Sequence, residues 1–323
     1  MDCCTPGRCP DGIRPSSPRI RLDARLTRRQ ALGALGASAL ALAFLRDGSG
    51  AQSASPPPMT LVRNGEAAAL TRAAIEALGG MQRFVSANAR VVIKPNIGWD
   101  RTPEQGANTH PEVVGALVEL AIAAGAREVK VMDHTCSDAR RSYQRSGIEA
   151  RAKAAGAQVI HLQDGRGTEM KIGGDLLTVW PVHREVVEAD VLINVPVVKH
   201  HSLCRVTLGM KNWLGAIDGR RNSLHQEIGR ASAELAAFFR PALTVVDATR
   251  MLQRNGPLGG NTDDVAHPRA LFASVDPVAA ESFGASLMGI APDELPQIAL
   301  SEEHGLGKRD WDRPELVTVD LKS

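Results

Sequence analysis

Short apolar runs alternate with helix-patterned stretches along most of this chain, and five of the runs end on a charge: Lys94, Asp133, Lys199, Asp247 and Asp276. The spacing predicts strands over residues 91–93, 129–132, 159–162, 176–179, 191–198, 243–246, 271–275 and 316–321. Helices are predicted over 111–124, with Pro111 in the first turn and Gly125 behind the last, over 148–155, and from Pro277 onward. A further helix is predicted over 223–239, opened by a Ser-x-x-Gln capping box at Ser223. Such β-α-β alternation argues for an α/β fold, a mostly parallel (mixed) sheet with helices on both faces, and an antiparallel edge is expected near Leu176.

The first 51 residues read as an address. Thr27-Arg28-Arg29-Gln30-Ala31-Leu32 closes a basic leader, a short glycine-broken apolar stretch follows, and Ser49-Gly50-Ala51 offers small residues for cleavage. This is the pattern of a twin-arginine signal, so the translocation machinery is an expected partner and the periplasm the expected location. Residues 52–58 would be a linker and 59–323 a single α/β domain, or two packed halves. Cleavage after Ala51 leaves 272 of 323 residues and takes eight arginines and four aspartates away. Lys+Arg falls from 38 to 30, Asp+Glu from 36 to 32, and the net charge from +2 to −2. Basicity thus belongs to the leader. With aromatics at only 3%, the rest offers neither the clustered basic face nor the stacking platforms of a nucleic-acid binder. No apolar run past the leader is long enough to span a membrane.

In a parallel sheet, ligands gather at the carboxyl ends of the strands, where loops and helix N-termini converge. Lys94-Pro95-Asn96 sets a cation and an amide at one strand end, and Asp133-His134-Thr135-Cys136-Ser137 sets polar groups at another. Asn108-Thr109-His110-Pro111 leads into a helix whose free N–H groups suit an anion. Lys199-His200-His201 is extended, so the two rings project to opposite sides; His200 is taken as the one facing the site and His201 as packed. Gly209-Met210-Lys211-Asn212-Trp213-Leu214-Gly215 adds a lysine between glycines, and Arg220, Arg221 and His225 extend the cationic set. Residues 256–260 form a glycine-rich turn or a lid.

Lys199, His200 and Asp133 are therefore the expected catalytic residues. Lys94, Asn96, His110, Lys211, Asn212, His225, Asp247 and Asp276 are the expected anion- or substrate-binding residues. A divalent metal between Asp133 or His134 and Cys136 is an alternative. Neighbouring residues rarely share one ion, however, and no second Cys/His pair with zinc-like spacing is expected. Cys3, Cys4 and Cys9 lie in the leader and lack ferredoxin spacing, while Cys136 and Cys204 are open to a disulfide or to free thiols. Gly-x-Ser-x-Gly, G-x4-G-K-[ST] and GxGxxG after the first strand are all missing, which argues against elbow-type hydrolases, P-loop enzymes and dinucleotide binders.

Taken together, Lys94-Pro95-Asn96, Asn194-Val-Pro-Val-Val-Lys199-His200, Lys211-Asn212, Asp247 with Gly256-Pro257, and Asp276-Pro277-Val278-Ala279 resemble the domain-of-unknown-function 362 (DUF 362) family over nearly the whole chain past the leader. The resemblance implies an uncharacterised α/β protein. Many relatives carry a ferredoxin-type four-cysteine cluster; this chain does not, so no iron–sulfur cofactor is expected. The combined expectation is an exported enzyme doing acid/base chemistry on a small anionic or phosphorylated substrate, with Asp133 or Asp276 orienting His200 or a metal. The alternative is a non-catalytic periplasmic ligand- or cofactor-binding protein, or a redox accessory protein without its own cluster.

Overall fold

The computed structural model describes residues 58–322, so the expected signal over residues 1–51 and nearly all of the expected linker lie outside the described residues. The first half runs β1 (Met59–Arg63), α1 (Ala67–Ala77), β2 (Arg90–Pro95), α2 (Pro111–Ala123), β3 (Glu128–Asp133), α3 (Ala139–Arg145), α4 (Ile148–Ala154) and β4 (Gln158–His161). Then come β5 (Thr168–Lys171), β6 (Val179–Val182), α5 (Arg184–Val187), β7 (Val191–Val195), β8 (Val197–His201) and β9 (Arg205–Thr207). The last part is α6 (Ile228–Phe239), β10 (Leu243–Leu252), β11 (Val265–Ala266), β12 (Ala270–Ser274), α7 (Pro277–Leu287), α8 (Pro296–Glu303) and β13 (Leu316–Asp320).

Eleven strands form one sheet along the path β13-β1-β12-β10-β7-β2-β3-β4, with β8 and β11 attached beside β10 and β9 paired to β8. β2, β3, β4, β7 and β10 are mutually parallel, and β8 continues β7 past Pro196 in parallel register with β10. The fold is therefore α/β around a mostly parallel sheet. Alternate residues of each strand feed the two faces: in β2, Val91 and Ile93 join Leu70, Ile75, Leu117 and Ile148 on one side, while Val92 joins Leu235, Phe239, Phe283 and Ile298 on the other. Burial on both faces is why these strands read as unbroken apolar runs, each aliphatic side chain contributing roughly 1.5–3 kcal/mol.

Three expectations are corrected. The segment near Leu176 is not a sheet edge: the amides of Leu176 and Leu177 donate to the Glu234 carboxylate at 3.0 and 2.7 Å. Val179–Val182 instead pairs with β5 in a separate two-stranded sheet. The antiparallel strand is β12, inserted between β1 and β10 well inside the main sheet. No capping box opens α6, because the Ser223 hydroxyl donates to the Arg220 carbonyl (2.7 Å) and residues Arg221–Glu227 wind as a 3-10 helix ahead of Ile228. β1 and α1 went unforeseen, while β13 falls where a last strand was expected. Among the described residues no helix is long and apolar enough to cross a membrane.

Candidate active site

Where β2, β3 and β8 end, a cavity of about 340 Å³ opens, lined among others by Asn96, Trp99, His134, Lys199, His201, Lys211, Arg221 and His225. Its floor is a closed polar network. The fully buried Lys94 ammonium donates to Asp133 Oδ1 (2.7 Å), the Pro95 carbonyl (3.0 Å) and Asn212 Oδ1 (3.1 Å). Three acceptors use all three ammonium hydrogens. The other carboxylate oxygen of Asp133 accepts the Ile97 amide at 2.6 Å. Burial draws the Lys94 ammonium below the ordinary lysine range, with the charge of Asp133 acting against that.

Asn212 ties this pair to the neighbouring strands, donating to the Lys94 carbonyl (3.2 Å) and to Asn194 Oδ1 (2.9 Å) and accepting from Asn96 Nδ2 (3.2 Å). The glycines around Lys211-Asn212 now have a reason. A Cβ on Gly215 would overlap Asp133 Oδ1, so only glycine lets the 3-10 helix Lys211–Ala216 pack onto the ion pair. Gly209 and Met210 are held from behind by Glu281 of α7, whose Oε2 accepts the Met210 amide at 2.8 Å.

Lys199 differs from Lys94. It too is buried, 1% exposed, but its Nζ meets only neutral acceptors, Asn96 Oδ1 at 3.0 Å and the Ala107 carbonyl at 2.5 Å. Among the described residues no carboxylate pairs with it. Burial first, and then the nearby Lys211 charge, bring its ammonium down to about 7. The Trp99 ring lies 6.0 Å away. Lys211 likewise has no ion-pair partner among the described residues, and burial lowers its pKa. Arg221 spends its guanidinium on the carbonyls of His134, Leu214 and Thr135, adding positive charge while pinning the loop after β3.

The expected residues divide. Lys94, Asn96, Asp133, Lys199, Lys211, Asn212 and His225 come together in or beneath the cavity. His200 does not: its Nδ1 accepts the Gly256 amide at 3.1 Å, and His201 lines the cavity instead. Residues i and i+2 of a strand share a face, so Lys199 brings His201 with it, and the choice between the two rings is reversed. Asp276 is also displaced, because β12 runs against its neighbours and delivers its carboxyl end to the opposite rim. There Asp276 caps α7, accepting the Val278 and Ala279 amides at 2.9 Å each, and pairs with Arg313 at 2.8 Å. Asp247 lies mid-strand rather than at a strand end, where it accepts from the His110 amide (2.7 Å) and from Thr249. His110 caps α2 through Nδ1 and lines a second cavity of about 400 Å³ with Thr249, Arg250, His267 and Arg269. Gly256-Pro257 is part of a turn whose Pro257 reaches the first cavity.

Two cavity-side groups were underrated in the sequence. His134, Nε2 3.1 Å from Asp164 and Nδ1 3.2 Å from His183 Nε2, forms a histidine pair with one end in the cavity. His201, Cys204 and His225 place their ligand atoms within 4.8 Å of one another, a trio that sequence spacing did not suggest. Both described cysteines are free thiols.

The class the fold defines is an α/β protein whose mostly parallel sheet opens a cation-rich crevice at its carboxyl rim, the place where sheets of this kind hold ligands. Residues 91–286 match the family model described as domain of unknown function (DUF362), and the chain belongs to that family. It is 28% identical over 250 residues to a thylakoid-associated protein of Synechocystis sp., covering 75% of this chain and 76% of that one. Among solved structures it is similar to the lactate racemase apoprotein of Thermoanaerobacterium thermosaccharolyticum (12% identity, TM-score 0.43, 72% of this chain) and to a structural-genomics protein of Thermotoga maritima (12%, 0.37, 69%). The chain spans 57% and 59% of the lengths of those two structures.

Glu281, fully buried behind the Lys211 loop, is pushed up to about 7 by burial, against the hydrogen bonds from Met210 and Gln297. The folded chain thus keeps a proton that the unfolded chain releases at ordinary carboxyl pH. The resulting stability is complete below about pH 4.5 and is lost as pH rises through 7, about 3 kcal/mol in all. Urea unfolding of wild type and Glu281→Gln across pH 4.5–8 should show their stability difference drifting by that amount; a pH-independent difference contradicts the assignment.

Proposed function

We propose that this protein is an exported enzyme that performs acid–base chemistry on a small anionic or phosphorylated substrate, with Lys199 as the base. The observation carrying this reading is the buried Lys199 amine, on the cavity wall with neutral partners only. A neutral amine has two hydrogens, which Asn96 and Ala107 take, and one lone pair left over for a substrate proton. An amine with a pKa near the working pH transfers protons most effectively. Lys211, lacking a counter-ion, supplies the charge that meets the anion, and Arg221 deepens the positive field. His225 and Asn222 add hydrogen-bonding groups at the same wall. Asp133 serves as a positioning residue here, because its carboxylate is committed to Lys94 and Ile97. Export rests on the paired Arg28-Arg29 of the leader, and the twin-arginine route suits a protein that folds before crossing.

The substrate is sought among small carboxylates and phosphate esters, by mass spectrometry of what co-purifies and by the anion that raises the melting temperature. Turnover of that compound should climb with pH through about 7 as Lys199 loses its proton. Lys199→Met should lower it by about 10²–10⁴-fold with binding changed only a few-fold. Wild-type turnover in that variant, or a profile flat through neutrality, would refute the role. For export, Arg28→Lys with Arg29→Lys should leave the precursor inside a host that has the translocation machinery, whereas undiminished export removes the signal assignment.

A further inference from the structure

We infer that His201, Cys204 and His225 form a binding site for one borderline-soft divalent metal ion, zinc being the best match. The inference goes beyond the acid–base reading and does not rest on it. The three side chains come from two separate places: His201 ends β8, Cys204 precedes β9 across a tight hairpin turn, and His225 belongs to the 3-10 helix Arg221–Glu227. Their ligand atoms nevertheless lie within 4.8 Å of one another. Zinc bonds of about 2.0–2.3 Å in tetrahedral geometry ask for roughly 3.4–3.7 Å between ligand atoms, so modest side-chain rotation closes the site.

The donor set is selective. Two imidazoles and a thiol with no carboxylate suit zinc and its neighbours and exclude magnesium and calcium, which take oxygen. His225 is already oriented as a ligand: its Nδ1 lies 3.0 Å from the Asn222 carbonyl. A carbonyl only accepts, so the proton sits on Nδ1 and the Nε2 lone pair is free, the arrangement that outer-sphere partners impose on metal-bound histidine. At His201 the amides of Leu203 and Cys204 approach Nδ1 at 3.2 and 3.4 Å. Nδ1 is therefore the nitrogen with the lone pair, and the metal takes it by displacing these two long contacts while Nε2 keeps its proton.

His201 and His225 both line the cavity that Lys199 and Lys211 border, so a metal held by them would sit at its wall. A three-ligand zinc site with an open position is the catalytic rather than the structural pattern. Binding converts the Cys204 thiol to thiolate and releases its proton to solvent, leaving the metal–thiolate unit with a single positive charge, which favours an anion at the open position.

The test uses the full chain with Cys3, Cys4 and Cys9 changed to Ser, stripped of metal and titrated with cobalt(II) chloride, then with zinc sulfate. One equivalent of cobalt should bind with a thiolate charge-transfer band in the near ultraviolet, release one proton, and be displaced by zinc. Cys204→Ser should remove the band, and His225→Gln should weaken zinc by more than the roughly 10–100-fold cost of losing an outer-shell partner. Circular dichroism would show both variants folded. Cys136→Ser should keep the band. Cobalt bound without that band, as at the His134, Asp164 and Asp218 cluster, overturns the inference. So does a band that depends on Cys136, or zinc uptake indifferent to both Cys204→Ser and His225→Gln.

Discussion

The buried ion pair between Lys94 and Asp133 is the constraint on which the cavity depends. Its partners end adjacent parallel strands, β2 and β3, with Lys94 fully buried and Asp133 showing only an edge to the cavity. An unpaired charge there would cost about 3–5 kcal/mol, so each residue holds the other in place, and the Pro95 carbonyl, Asn212 and the Ile97 amide supply their further hydrogen bonds. The pair fixes the relative height of two strand ends and draws the Gly209–Gly215 segment down onto them. Gly215 is the contact point, since any side chain there would collide with Asp133.

That commitment shapes the second lysine. With Asp133 already occupied, nothing of opposite charge is left for Lys199 among the described residues, and it is buried against an amide oxygen and a carbonyl. Two lysines of one sheet, on β2 and β8, are thereby given opposite chemistry. One is a charged fixture; the other is an amine close to giving up its proton. Asn96 connects them, accepting from Lys199 while donating to the same Asn212 oxygen that Lys94 bonds.

Much of this was legible in the sequence. Apolar runs flanked by helical periodicity gave the α/β class, and charges at strand ends gave Lys94, Asp133 and Lys199 as neighbours in space. The misplacements have physical causes. Asp276 looks like the others because a strand's amino-acid pattern does not record its direction, and β12 runs backward. Asp247 was taken for a strand end, but β10 continues to Leu252 along β8 and β11. His200 and His201 were readable: a strand's two-residue period puts His201 on the same face as Lys199. The trio of His201, Cys204 and His225 was hidden for another reason. It joins a hairpin turn to a 3-10 helix after a stretch that winds over the ion pair, and no periodicity announces such a meeting. The strand expected over 176–179 is displaced to Val179–Val182 because Glu234, far along the chain, takes the Leu176 and Leu177 amides that a strand would have used.

The chemistry of the cavity depends on Lys199 being an amine that sheds its proton near neutrality. Lysine 13Cε and 15Nζ resonances followed across pH 5–11 measure this directly. One lysine signal, absent in Lys199→Met, should titrate at about pH 7. If the signal lost in that variant instead titrates with surface lysines near pH 10, Lys199 is an ordinary buried cation and the cavity lacks its base.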